Sequence, residues 1–293
     1  MRDDLTSTGE DGLIHRLCRL IPPGPGLIVG PGDDCAVLPS PKPGDYLLFK
    51  TDAVIEGIHF TPGTEARRVG WKAAARAVSD FAAMGGGKPE HALVSLFVQP
   101  GRPVSWLEDV YRGIQDCANR FGFGLAGGET CRLPMEAPGL ILSISLLGCT
   151  AKSQCILRSG ASIGDDIWVT GFLGGSFATG KHLDFIPHIE EAQILAASGT
   201  VHSLMDLSDG LAKDLPRLAQ ASRAGFRLDR DAIPVTPGFT LENALSDGED
   251  YELLFTMAPG TPCPLQGATR IGNMVGMDES EQITGGWDHF ATL

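Results

Sequence analysis

Long apolar runs are missing from this chain. The longest, LILSISLLG at 140–148, falls far short of the ~20 residues that a bilayer-spanning helix needs, so no membrane partner is expected. The opening segment MRDDLTSTGEDG has early aspartates and no apolar h-region, which argues against a secretory signal. Basic charge is also scarce, with 23 Lys and Arg against 36 Asp and Glu and a net charge of −13. Phosphate backbones are held by clustered cations, so nucleic acid is not an expected partner. The seven cysteines are scattered, odd in number and never spaced C-x-x-C. That usage points to reduced thiols in a cytoplasmic protein and away from a disulfide framework or a zinc site. There is no internal repeat, no G-x-S-x-G elbow and no H-E-x-x-H helix.

What is present is enough to build a core. Hydrophobic residues make up 43 % of the 293 and charged residues 20 %, a globular balance. Pro and Gly clusters at 22–26, 41–44, 134–139, 233–238 and 258–264 read as turns. Between them, YLLFKT (46–51), HALVSLFV (91–98) and LILSISLL (140–147) are short, apolar and bounded by breakers, which predicts buried strands. Trp71, Ala74, Ala75, Val78, Phe81 and Ala82 recur at helical spacing until a GGG at 85–87; Trp106, Val110, Ile114, Cys117 and Phe121 form a second stripe that Gly122 ends. The second half repeats the alternation, with DIWVT (166–170), a helix, SLMDLS (203–208) and a helix from about 210 to 224 that contains Pro216. FRLD (226–229), ELLFT (252–256) and a segment near 269–275 follow as strands. Both halves mix strands and helices, so the expected fold class is α/β, of mixed α+β character, with two domains spanning 1–150 and 151–293.

Two nucleotide-site patterns are poor, one by its context and the other by its last residue. GFGLAG at 122–127 follows a helix and runs into a strand, the reverse of a dinucleotide fingerprint. GSFATGKH at 175–182 has His182 where a P-loop places Ser or Thr, and a tight turn entering a helix is the better reading. The acidic segments are more informative. GDDCAVL (32–38), TDAVIEGIHF (51–60), SDFAAMGG (79–86), GGETCR (127–132), MDLSDGL (205–211) and GEDYELLFT (248–256) each put carboxylates beside glycine turns or at the edges of apolar segments. Each alone has a plain structural reading: Ser208 or Asp209 as a helix cap, Asp33 and Asp34 as turn residues, Asp80 paired with Arg76 one turn earlier. Together, with few Lys or Arg nearby in sequence, they suggest several Mg²⁺ ions bound by oxygen ligands and serving phosphoryl transfer.

These segments, with RSGASIGDD at 158–166 and the closing GGWDHF at 285–290, occur in an order that closely resembles the thiamine-monophosphate kinase family of the aminoimidazole-ribotide synthetase-like superfamily. The resemblance implies a two-domain subunit. Its N-terminal domain binds ATP and metal and pairs into a homodimer, and its C-terminal domain completes the active site. It also implies direct transfer of the γ-phosphoryl group of ATP to thiamine monophosphate. Metal ligands are implied at Asp34, Thr51, Asp52, Asp80, Asp206 and Asp209, with Glu129 where an aspartate is usual; Asp52 and Asp209 are the expected catalytic pair. ATP contacts are implied at Tyr111, Gly128, Arg158 and Ser208, and substrate contacts at His59, Glu249 and Trp287. Cys131 and Lys50 stand where the family usually has hydroxyl residues. Other ATP-using members of the superfamily, a non-catalytic nucleotide-binding homologue and a Walker-type NTPase are the competing readings.

Overall fold

The computed structural model describes residues 4–290 and contains two five-stranded sheets. The first is ordered β1-β2-β5-β3-β4, from β1 (Ala36–Pro39), β2 (Asp45–Ile55), β3 (Lys88–Val98), β4 (Gly124–Arg132) and β5 (Leu140–Ala151). Its pairs are antiparallel except β3 with β4, which run parallel and are joined by helix α3 (Val104–Phe121). The second sheet is ordered β7-β9-β6-β10-β8, from β6 (Asp166–Val169), β7 (Val201–Asp206), β8 (Gly225–Leu228), β9 (Leu253–Met257) and β10 (Thr269–Val275). All of its pairs are antiparallel.

The apolar periodicities explain which faces are covered. Along β5 every second residue is buried, and Leu140, Leu142, Ile144 and Leu146 are wholly so, as expected of a sheet with one face on the core. Helix α2 (Ala66–Ala83) lies on that face, and half of its residues are Ala, Gly or Ser. Its glycine lets α3 approach closely: a Cβ at Gly70 would stand 1.8 Å from the carbonyl oxygen of Val110, and one at Gly113 1.9 Å from that of Arg67. The last turn of α2 continues into the second half, where Ala82 is buried against Leu204, Leu253 and Phe255. One helix therefore joins the two cores and carries Asp80 to their junction. The opposite face of the first sheet remains open, with Phe49, Leu93 and Leu125 each about half exposed.

Three features were not anticipated. Helix α1 (Leu5–Cys18) buries no residue, so it has no apolar stripe to read; ion pairs from Glu10 to Lys213 and from Asp11 to Arg217 tie it to the second half. The chain between β6 and β7 folds as short turns α4 (Ser176–Thr179) and α5 (Lys181–Asp184), followed by helix α6 (Ile189–Ser198). Helix α7 (Leu211–Ala221) runs through Pro216 as expected, whereas α8 (Leu241–Ser246), which packs beside it, has no counterpart in the sequence reading. Among the described residues, no helix is long and apolar enough to cross a membrane.

Candidate active site

Three buried carboxylates meet where the two halves join. Asp34 follows the glycine turn that leads into β1, Asp80 lies in the last turns of α2, and Asp206 ends β7. One ligand oxygen from each lies within 4.8 Å of the others. Such crowding penalises ionisation. Burial pushes Asp206 up to about 7, reinforced by the charge of Asp34. Burial likewise drives Asp80 well above the carboxylate range, with Asp52, Asp206 and Asp34 adding to it. Beside them, burial and the charge of Asp34 push Asp33 up to about 7.

Few cations were expected near these carboxylates, but the fold brings several from distant sequence. The guanidinium of Arg158 forks onto Asp34, with Nε to Oδ2 at 3.0 Å and Nη2 to Oδ1 at 2.5 Å. Ser79 donates its hydroxyl to Asp206 at 2.5 Å. Asp80 pairs with Lys50 on β2, Nζ to Oδ1 at 2.6 Å, and not with Arg76 one turn earlier. Arg76 instead donates to the carbonyl of Ala53 at 2.8 Å and lies 3.6 Å from Asp52. Burial opposes ionisation of Asp52, yet Lys50 and Arg76 outweigh it and hold its carboxyl below the usual value.

A cleft of about 230 Å³ opens beside this cluster, lined by residues that include His59, Arg76, Ser208, Asp209, Glu249 and Trp287. The imidazole Nδ1 of His59 accepts from the backbone N–H of Ile55 at 3.1 Å, which leaves the proton on Nε2. Burial, with the charges of Arg76 and Lys72, pushes His59 down to about 3, so it is neutral at pH 7. Lys72 is fully buried and donates at 2.5 Å both to the carbonyl of His59 and to Glu249. Glu249 and Tyr251 adopt φ values of 56° and 51°, a conformation most side chains avoid. It is held because the N–H of Glu249 bonds to Ser208 at 2.7 Å and that of Tyr251 to Leu207 at 2.8 Å. These bonds press the Gly-Glu-Asp turn against the Ser208–Asp209 segment. Trp287 is fixed at the rim by its backbone N–H, which donates to the carbonyl of Asp209 at 2.8 Å.

The expected site residues are not all gathered. Asp209 faces the cleft, but its carboxylate is taken by Arg217 at 2.6 Å and approached by Lys213 at 3.4 Å. The Thr51 hydroxyl contacts those of Ser143 and Ser145 on β5. Glu129 and Gly128 lie on exposed β4, where Glu129 accepts from the N–H of Thr130 at 2.8 Å. Tyr111 is on α3, packed against the first core. None of these last four lines the cleft. The near P-loop has a structural explanation: Lys181 bonds to Glu252 at 2.7 Å and to the carbonyl of Phe172 at 3.1 Å. Lys72 and Arg76 went unremarked as site residues. Their signal was an i, i+4, i+8 row with Asp80 on an alanine-rich helix, which places all three on one face.

The chain is similar to known proteins along most of its length. The family of AIR synthase related proteins matches through its N-terminal domain at residues 32–150 and its C-terminal domain at 177–263. The thiamine-monophosphate kinase of Rhodopirellula baltica is 36 % identical over 291 residues, covering 92 % of this chain and 88 % of the relative. That of Escherichia coli K12 is 32 % identical, covering 90 % and 92 %. The solved structure of AaThiL complexed with AMPPCP and TMP superimposes with a TM-score of 0.87 at 28 % identity, covering 99 % of this chain and all of the other.

Proposed function

This chain belongs to the thiamine-monophosphate kinase family, and from that premise we propose that it transfers the γ-phosphoryl group of ATP directly to the phosphate of thiamine monophosphate, giving thiamine diphosphate and ADP. The observation that carries the reading is the convergence of Asp34, Asp80 and Asp206 beside a cleft lined by His59, Glu249 and Trp287. The AaThiL relative, complexed with AMPPCP and TMP, supports an ATP site and an acceptor site on this fold.

The donor set fits magnesium, because buried carboxylates this close repel one another until a hard cation lies between them. Asp34, Asp80 and Asp206 would hold it, with Thr51, Asp52, Glu129 and Asp209 as further oxygen donors around the phosphates. Mg²⁺, when bound, neutralises charge on the phosphate oxygens. Arg158, whose fork pairs with Asp34 in this structure, would present it to two phosphate oxygens once a cation takes over that carboxylate, and Tyr111, Gly128 and Ser208 complete the ATP site. The Nε2–H of neutral His59 donates to the acceptor phosphate. Glu249, oriented by Lys72, sets a negative charge against the cationic thiazolium, and Trp287 offers a ring face to it. No general base is required. The acceptor oxygen is already an anion, so in-line positioning and charge neutralisation lower the barrier. The open, partly apolar face of the first sheet, with Phe49, Leu93 and Leu125, supports pairing of two N-terminal halves in a homodimer. Seven free thiols support a reducing, cytoplasmic setting.

The test is ADP release that depends on thiamine monophosphate and Mg²⁺. Asp52→Asn and Asp209→Asn are expected to abolish it while circular dichroism and cooperative unfolding persist. Turnover like the wild type's in both variants refutes their assignment.

A further inference from the structure

Among the carboxylates of the cluster, Asp80 is distinguished by its partner. Asp34 is held by a guanidinium that also belongs to the surrounding structure, and Asp206 by the neutral hydroxyl of Ser79. The Asp80 carboxylate instead receives a flexible ammonium, with Lys50 Nζ 2.6 Å from Oδ1. Lys50 reaches it from β2, two residues before Asp52 and therefore on the same face of that strand. The side chain of Lys50 is only 22 % exposed and that of Asp80 only 7 %, so the pair lies within the site and not on its rim. Arg76 then stands 3.6 Å from Asp52 on the other side.

Counting formal charges, the four carboxylates Asp34, Asp52, Asp80 and Asp206 face three cations, Lys50, Arg76 and Arg158, which leaves a net charge of −1. An ammonium nitrogen contacting a carboxylate oxygen at 2.6 Å takes the position that a divalent cation on the same oxygen would take and supplies one of its two positive charges. We infer that the Lys50 ammonium is the resident cation of the Asp52–Asp80 side of this site, so that each subunit takes one fewer divalent ion than the same carboxylates would take without it. The inference rests on the metal-binding reading of the cluster and goes beyond it. Asp34, Asp206 and the other carboxylate oxygen of Asp80 would then hold the metal, and the Asp80 oxygen bonded to Lys50 would not.

The test counts Mn²⁺ bound per subunit, by electron paramagnetic resonance of free Mn²⁺ in the presence of AMPPCP, for wild type, Lys50→Met and Lys50→Arg. Lys50→Met is expected to bind one more Mn²⁺ per subunit than wild type, and Lys50→Arg the same number as wild type. Equal, non-zero numbers in wild type and Lys50→Met overturn the role given to Lys50 and leave the metal reading standing. No Mn²⁺ bound by any of them overturns both. A measurement on wild type alone covers the case in which Lys50→Met does not fold. In crystals soaked with Mn²⁺ and AMPPCP, anomalous scattering is expected near Asp34 and Asp206, with Lys50 still on Asp80. A Mn²⁺ ion ligated by Asp80 Oδ1, with Lys50 turned away, contradicts the inference.

Discussion

Replacing Asp206 by asparagine should make the metal-free protein more stable while destroying its function. The carboxyl of Asp206 is buried, and its pKa rises from 3.8 to about 7 in the fold. A group whose folded pKa is raised contributes stability that is complete at low pH and is lost as pH rises through the folded value. Each tenfold change in proton affinity corresponds to ~1.4 kcal/mol, so at pH 8 the ionised side chain costs the folded state at most about 4 kcal/mol, and roughly 2–4 kcal/mol once relaxation is allowed for. The substituted amide would carry no charge, and its carbonyl would still accept the bond that Ser79 now donates at 2.5 Å. In EDTA at pH 8 the unfolding midpoint of Asp206→Asn should rise by roughly 4–10 °C. The gain should shrink by about half at pH 5.5, where folded Asp206 is protonated but the unfolded side chain is ionised, and should vanish near pH 4. Turnover should be lost at every pH. A metal-free variant less stable than wild type at pH 8 would falsify the claim that these carboxylates repel one another.

Three further outcomes follow from the same geometry. Protons compete with metal for Asp206, whose pKa lies at about 7, so Mn²⁺ affinity measured by calorimetry should fall about tenfold per pH unit below 7 and level off above it; a flat profile from pH 5 to 8 contradicts this. Lys72→Met removes the buried partner of Glu249 and should cost about 2–4 kcal/mol in denaturant titrations, while weakening thiamine monophosphate far more than ATP in binding assays; equal weakening of both ligands counts against the positioning role. Lys181→Ala breaks bonds to Glu252 and Phe172 and should lower stability by ~1–2 kcal/mol with turnover within twofold of wild type, whereas loss of activity would revive a P-loop.

How much of this was legible in sequence depended on the range of the interaction. The alternation along Leu140–Leu146 and the alanine stripe of α2 are local periodicities, and each became the element it predicted. The acidic segments were visible because they recur along one chain, although a carboxylate beside a glycine turn is ordinary by itself. Their partners were not visible. Arg158 lies 124 residues from Asp34, and Glu249 lies 177 from Lys72, distances over which only the assembled tertiary fold decides who meets whom. Lys50 is the sharpest case. It stands where the family usually has a hydroxyl residue, and only the 2.6 Å contact in the assembled fold sets its ammonium on Asp80. Helix α1 was missed because it buries nothing, and β4 departs from ordinary strands in being glycine-rich and exposed along nearly its whole length. The chemistry could be read from which residue types were present, but their neutralisation could not.

The most direct measurement is phosphorus NMR of the purified protein with ATP, Mg²⁺ and thiamine monophosphate. Direct transfer to a phosphate acceptor predicts thiamine diphosphate and ADP accumulating in equal amounts, with no free phosphate. ADP with inorganic phosphate, or no turnover in a folded protein that still binds ATP, would contradict it.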